Sequence, residues 1–188
     1  MKIKRLIVGD LETNCYLLIS ENKLIIIDPG GSVEKILKEI KEIKAKPKYI
    51  INTHCHPDHI SANEGVKKET GAEILTPKAG DEIKIGVGDS PSVLKVIHTP
   101  GHTKDSICLL GKNFIFTGDT LFKNGYGRTD LPGGSQKELE ESLEKLSKLL
   151  KPRSMNLCFI SRLAPLRGAR RMTVYPGHGE IFQSIARP

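Results

Sequence analysis

Five of the six histidines in this 188-residue sequence occupy one kind of place, the point where an apolar run gives way to a turn rich in Gly, Pro or Asp. The densest such stretch is Tyr49-Ile-Ile-Asn-Thr-His54-Cys55-His56-Pro57-Asp58-His59. Imidazole and carboxylate side chains at this density are the donor set of a divalent metal site. In an extended chain, residues two apart point the same way, so His54 and His56 can grip one ion while Cys55 is turned away into packing. Asp58 and His59 stand where the chain bends into a helix and point elsewhere, which calls for a second ion. A catalytic metal takes about three protein ligands and keeps one position open, so three further ligands are needed. His102 in Thr99-Pro-Gly-His102, Asp119 in Phe116-Thr-Gly-Asp119 and His178 in Tyr175-Pro-Gly-His178 each follow a glycine that lets the backbone turn sharply. The expected sets are His54, His56 and His102 for the first metal and Asp58, His59 and His178 for the second. Asp119 is the bridging carboxylate. His98 is expected to be a strand residue or a hydrogen-bonding group behind the ligands. Asp28, in Ile25-Ile-Ile-Asp28-Pro-Gly-Gly31, is expected to be a buried carboxylate orienting the cluster. The Gly30-Gly31-Ser32 turn lacks a full glycine fingerprint and reads as structural rather than as a phosphate cradle.

Strands must deliver these side chains. Apolar, β-branched runs predict strands over Lys2 to Val8, Thr13 to Ser20, Lys23 to Asp28 and Lys48 to Thr53. Between the last two, Val33, Ile36, Leu37, Ile40 and Ile43 recur at helical spacing, with Ser32 as N-cap and Pro47 as terminator. A second helix is predicted from Asp58 to about Thr70, ended by Gly71. Shorter strands follow at Glu73 to Thr76, Glu82 to Ile85, Ser92 to His98, Ser106 to Leu110 and Asn113 to Thr117. Ser135-Gln-Lys-Glu138 is a capping box opening a helix whose stripe is Leu139, Leu143, Leu146 and Leu150. Met172 to Tyr175 reads as one more strand, delivering the turn that carries His178.

Composition bounds the rest. With 38% hydrophobic and 27% charged residues the chain is an ordinary globular protein, here read as a single domain over 1–188. No apolar run approaches the roughly 20 residues of a membrane helix, and the first ten residues are too short an apolar stretch for a signal peptide. A cytoplasmic protein without a membrane partner is the expectation. Four cysteines, none in a Cys-x-x-Cys pair, argue against a disulfide scaffold. The net charge of +7 comes from 29 Lys and Arg against 22 Asp and Glu, but lysines alternate with glutamates at helix-face spacing and read as a solvated surface. No lysine follows Lys151, whereas Arg153, Arg162, Arg167, Arg170, Arg171 and Arg187 do. Residues 152–171 keep neither a helical nor a strand period and are expected to be an atypical arginine-rich loop or insertion. Nucleic-acid binding through that segment is a remote alternative, since Phe159 is the single aromatic residue among its arginines, short of the interleaved aromatics of a base-stacking surface.

Taken in order, Thr13-Asn-Cys-Tyr16, Ile27-Asp-Pro-Gly30, the His-x-His-x-Asp-His cluster, Thr99-Pro-Gly-His-Thr103, Gly118-Asp-Thr-Leu-Phe122, Gly127-Arg-Thr-Asp130 and Tyr175-Pro-Gly-His178 resemble the metallo-β-lactamase superfamily. Within it they resemble the glyoxalase II-like, or hydroxyacylglutathione hydrolase-like, enzymes. The resemblance spans residues 13 to 178. It implies an α+β four-layer αβ/βα sandwich with a metal site along one edge of two sheets. It also implies two divalent metal ions, zinc first, with iron or manganese as alternatives. A hydroxide held between the ions would attack the carbonyl of a small-molecule thioester or ester, S-lactoylglutathione being the family substrate, with Asp58 and Asp119 as catalytic carboxylates. Tyr126 and Arg128 are implied as substrate-binding residues. The nearest rival is a persulfide dioxygenase, whose single iron would map to His54, His102 and Asp119. The sequence leaves the oligomeric state open.

Overall fold

The computed structural model describes residues 1–86, 92–150 and 170–186. Strands β1 (Lys2–Val8), β2 (Thr13–Ser20), β3 (Lys23–Ile27), β4 (Lys46–Ile51) and β5 (Glu73–Leu75) form one sheet in that order. The first three are antiparallel; β3, β4 and β5 are parallel. Helix α1 (Val33–Ile43) joins β3 to β4, and α2 (Pro57–Ile60) and α3 (Asn63–Thr70) join β4 to β5. The second sheet runs β11-β10-β9-β8-β7-β6, built from β6 (Glu82–Ile85), β7 (Ser92–His98), β8 (Ile107–Leu110), β9 (Phe114–Gly118), β10 (Arg170–Pro176) and β11 (Phe182–Ala186). Only β9 and β10 pair in parallel there, and α4 (Gln136–Leu150) lies between them in the chain.

Strand alternation builds the layers. In β2 and β3, Cys15, Leu17, Leu24 and Ile26 face outward and join Ile36, Ile40 and Val66 of α1 and α3. Their neighbours Tyr16, Leu18, Ile25 and Ile27 face inward and meet Ile107, Leu109, Phe114 and Phe116 of the other sheet. On that sheet's far side, Cys108, Ile115, Met172 and Val174 pack against the α4 stripe Leu139, Leu143, Leu146 and Leu150. The order is therefore helix, sheet, sheet, helix, with strands buried on both faces, which explains their nearly unbroken apolar runs. Each parallel connection returns the chain to the same end of a sheet, so β3, β4, β9 and β10 all end at one rim. Strand β7, antiparallel to β8 as β8 is to β9, ends there too.

The structure departs from the sequence expectations in several elements. The helix expected over 58–70 is two helices. The His59 carbonyl, which a continuous helix would pair with residue 63, accepts from Asn52 Nδ2 at 2.8 Å instead, and the Ala62 N–H donates to the Pro29 carbonyl at 3.0 Å. Ser32 is no side-chain cap: it is left-handed (φ 53°), and its Oγ accepts from the Gly9 N–H at 3.3 Å. Helix α1 ends at Ile43 with left-handed Lys44, and Pro47 lies inside β4 rather than ending the helix. Strand β11 was not anticipated. The capping serine of α4 is in place, with the Glu138 N–H donating to Ser135 Oγ at 3.3 Å. The arginine-rich segment expected at 152–171 lies, up to residue 169, outside the described residues. Among the described residues no helix is long and apolar enough to cross a membrane, and Cys15, Cys55 and Cys108 are free thiols.

Candidate metal centre

All seven side chains singled out for metal binding meet at the common rim. His54 Nε2 lies 3.1 Å from His56 Nδ1, which lies 2.9 Å from His102 Nε2. A few ångströms away His178 Nε2 is 3.3 Å from His59 Nε2 and 3.1 Å from Asp58 Oδ2. Asp119 stands between the groups, with Oδ1 3.4 Å from His59 Nε2 and Oδ2 3.6 Å from His102 Nε2 and 3.7 Å from His178 Nε2. The triads His54-His56-His102 and Asp58-His59-His178 each bring three donor atoms within 4.8 Å of one another.

Whether such a cluster suits a cation depends on where its protons are. His102 Nδ1 lies 2.7 Å from the Arg128 carbonyl and His178 Nδ1 lies 3.0 Å from the Leu11 carbonyl. A carbonyl only accepts, so both rings carry a hydrogen on Nδ1 and turn Nε2 toward the cluster. Thr53 Oγ1 spends its one proton on Asp28 Oδ2 at 2.7 Å, so towards His54 Nδ1 at 3.2 Å it accepts, which leaves Nε2 of the neutral His54 ring a bare lone pair. A hydrogen on His56 Nδ1 can serve the His54 and His102 nitrogens only in part, whereas a cation among the three rings would take a lone pair from each. Asp119 Oδ1 is buried without a hydrogen-bond donor, which is costly unless a positive charge faces it. The residues fit two divalent cations in the pattern of imidazoles whose far nitrogen is anchored by an oxygen.

Asp28 does the anchoring from behind. Its Oδ1 accepts from the Thr53 N–H at 2.7 Å, and its Oδ2 lies 3.1 Å from His59 Nδ1 as a charge contact, too poorly aligned to count as a hydrogen bond. Asp28 is left-handed (φ 51°), a conformation uncommon outside glycine. The two glycines that flank Asp119 in space have no room for a side chain. A Cβ on Gly118 would sit 2.4 Å from Thr53 Oγ1, and one on Gly177 would sit 2.2 Å from Asp119 Oδ1 and 2.8 Å from His59 Cε1.

The metal-free centre settles its own charges. Burial, aided by the neighbouring His59, pushes His54 down to about 2, so it is neutral. Burial and the His102 ring lower His56 as well. Burial alone would lower His59, but the carboxylates of Asp28 and Asp119 outweigh it and lift the ring to about 10. Burial would raise Asp119, yet the close contact and charge of His59 bring it down to about 2. The result is a proton on His59 where the chain has arranged for a cation.

The remaining expected residues divide. Tyr126 is exposed and borders a cavity of about 490 Å³, with Phe122, Lys123, Gly125 and His178. Arg128 reaches the centre through its carbonyl, while its guanidinium is exposed and bonded to Asp130 at 2.7 Å. His98 is a strand residue outside the cluster, with Nε2 2.8 Å from the Lys104 carbonyl. Cys55 is turned from the metals as expected but does not pack: it is exposed, and a hydrogen bond from its thiol to Asp105, with partial burial, pushes it up to about 11. Thr53, Thr13 and the carbonyls of Leu11 and Arg128 belong to the site and were not singled out, because each acts through a contact made only by the fold.

Comparison with known proteins agrees with this geometry. The family model described as "Metallo-beta-lactamase superfamily" matches residues 8–95 and 80–154. The chain is 36% identical over 177 residues to "Probable metallo-hydrolase YqgX" of Bacillus subtilis (strain 168), covering 78% of this chain and 84% of that protein. It is 30% identical over 175 residues to "Hydroxyacylglutathione hydrolase GloC" of Haemophilus influenzae, covering 76% and 82%. Among solved structures, ETHE1 from Myxococcus xanthus superimposes with a TM-score of 0.78 at 28% identity, covering 97% of this chain and 80% of that one. The two-sheet rim with its convergent histidines and aspartates, and the matches that run through it, place this chain in the metallo-beta-lactamase superfamily.

Proposed function

We propose that this protein hydrolyses a small-molecule thioester or ester, using two divalent cations, zinc first among them. His54, His56 and His102 would hold one, Asp58, His59 and His178 the other, and Asp119 both. The observation that carries this reading is the convergence of imidazole nitrogens and carboxylate oxygens on two adjoining points. Such cations, when bound, acidify water enough to ionise near neutral pH and draw electron density from a carbonyl oxygen.

The chain's own part is to position. Asp58 Oδ2, 3.2 Å from the Thr13 hydroxyl, is placed to accept a hydrogen bond from the attacking water and aim its lone pair at the carbonyl carbon. The cavity beside His178 takes the arm of the substrate, with the rings of Phe122 and Tyr126 as an apolar wall and Lys123 at its edge. Arg128, already bonded to Asp130, contributes chiefly by fixing His102. As the tetrahedral centre collapses, the bond to sulfur or oxygen breaks; a thiolate leaves without needing a proton, which favours thioesters. The name of the Haemophilus influenzae relative, a hydroxyacylglutathione hydrolase, supports the same class.

A second reading, oxidation of a persulfide at one iron held by His54, His102 and Asp119, draws support from the 3.6 Å approach of His102 Nε2 to Asp119 Oδ2. One experiment separates the two: zinc-loaded and iron-loaded protein are assayed for thiol release from S-acylglutathiones and for oxygen uptake with glutathione persulfide. Thiol release that collapses in His54→Ala and Asp119→Ala is expected. Oxygen consumption at turnover rates, or hydrolysis surviving both substitutions, would overturn the hydrolase reading.

A further inference from the structure

The turn that presents His178 belongs to the second sheet, yet the first sheet holds it. The Asn14 side-chain amide donates to the Pro176 carbonyl at 2.9 Å and to the Gly179 carbonyl at 3.0 Å, and the Asn14 N–H donates to the Gly177 carbonyl at 2.7 Å. Tyr16 Oη donates to the same Pro176 carbonyl at 2.6 Å, and Arg5 Nη1 to the Gly179 carbonyl at 3.0 Å. Within the turn's own sheet, the Gly177 N–H donates to the Gly118 carbonyl at 2.8 Å. Carbonyls on both sides of His178 are thus received by β1 and β2, and the ring itself is oriented by the Leu11 carbonyl in the loop joining those strands.

Asn14 and Tyr16 are each 1% exposed, so their polar atoms were taken from water to make these bonds. The arrangement is asymmetric between the two metal sets. His54, His56, Asp58 and His59 come from one continuous segment, while His102 is fixed by the Arg128 carbonyl and touches neither Asn14 nor Tyr16 in any of these bonds. Of the seven expected ligands, His178 alone sits on the turn held in this way.

We propose that Asn14 and Tyr16 are positioning residues for the second metal, setting its affinity from the opposite sheet by fixing the 176–179 turn. This rests on the ligand assignment above, though not on the reaction assigned to it. Loosening the turn lets His178 drift from Asp58 and His59 and leaves the first triad intact. Substituting groups that orient metal ligands weakens binding by about 10- to 100-fold, and a loss in that range is expected for the second ion only.

The test is calorimetric titration of zinc into metal-free full-length protein, wild type against Asn14→Ala and Tyr16→Phe, with nitrogen-15 spectra of labelled histidine rings. Tyr16→Phe removes one hydroxyl and keeps the ring against Phe116 and Tyr175, so it carries the test if Asn14→Ala does not fold. The expected result is a tight first site unchanged in both variants, a weakened second site, and altered His178 resonances with those of His54 and His102 preserved. Equal weakening of both sites would show a merely structural role and overturn the proposal. Wild-type affinity at both sites would overturn it too, as would a wild type that binds a single zinc. Two zinc sites responding as expected in a protein that cleaves no thioester or ester would sink the proposed reaction and leave this proposal standing.

Discussion

His59 illustrates at the scale of one residue how a candidate ligand is held. It is fully buried against Asp28 on one side and faces Asp58, Asp119 and His178 on the other. Its raised folded-state value means that, without metal, the protonated ring stabilises the fold in full below its unfolded value of 6.5 and loses that contribution as pH rises through about 10. A bound cation replaces that proton. Metal-free protein is therefore expected to lose melting temperature between pH 6.5 and about 10, and zinc-loaded protein to lack that component. Parallel thermal melts across the range check this; the same pH dependence in both forms would contradict it. The convergence of these side chains is legible in the sequence because strand alternation and glycine-led turns restrict where a side chain can point. What was not legible was the proton bookkeeping, since the Leu11 and Arg128 carbonyls and the Thr53 hydroxyl act only once tertiary contacts bring them to a ring.

Elements follow the same division. The stripe of α4 announced itself by spacing, and all four of its leucines are buried. Leu146, 1% exposed in the core between α4 and the second sheet, is a test of that layer. Leu146→Ala is expected to cost about 2–5 kcal/mol through lost transfer energy and the cavity left behind. Denaturant unfolding of the zinc-loaded protein measures it, and zinc content should stay unchanged because the stripe lies on the outer face of the sheet. A cost under about 1 kcal/mol would mean that the layer is not packed as described. The split between α2 and α3 was illegible for a physical reason: every residue from Asp58 to Thr70 tolerates a helix, and the break comes from groups outside that stretch, Asn52 at the end of β4 and Pro29 after β3, taking the hydrogen-bonding groups of His59 and Ala62. Strand β11 escaped for a related reason. Phe182–Ala186 is short, carries a weak β signal, and is a strand because β10 offers it an edge.

Over the whole molecule, two sheets share one inner core, and each covers its outer face with helices. The consequence for function is the rim. Parallel crossovers bring the ends of β3, β4, β9 and β10 together, and β7 arrives in the same direction, so residues from 28 to 178 meet within a few ångströms. Apolar runs on strands buried on both faces made this architecture readable. The composition shift near residue 151, by contrast, bears on none of the residues that form the centre.

The central claim is that seven side chains hold two cations between them. It is tested most directly by elemental analysis of zinc-loaded protein after gel filtration, comparing wild type with Asp119→Ala and with His54→Ala. The structure predicts about two zinc ions per wild-type chain and a marked loss in each variant, larger for Asp119→Ala because that carboxylate faces both sets. A wild-type chain that retains no zinc or other divalent metal, or variants that keep the full complement, would contradict it.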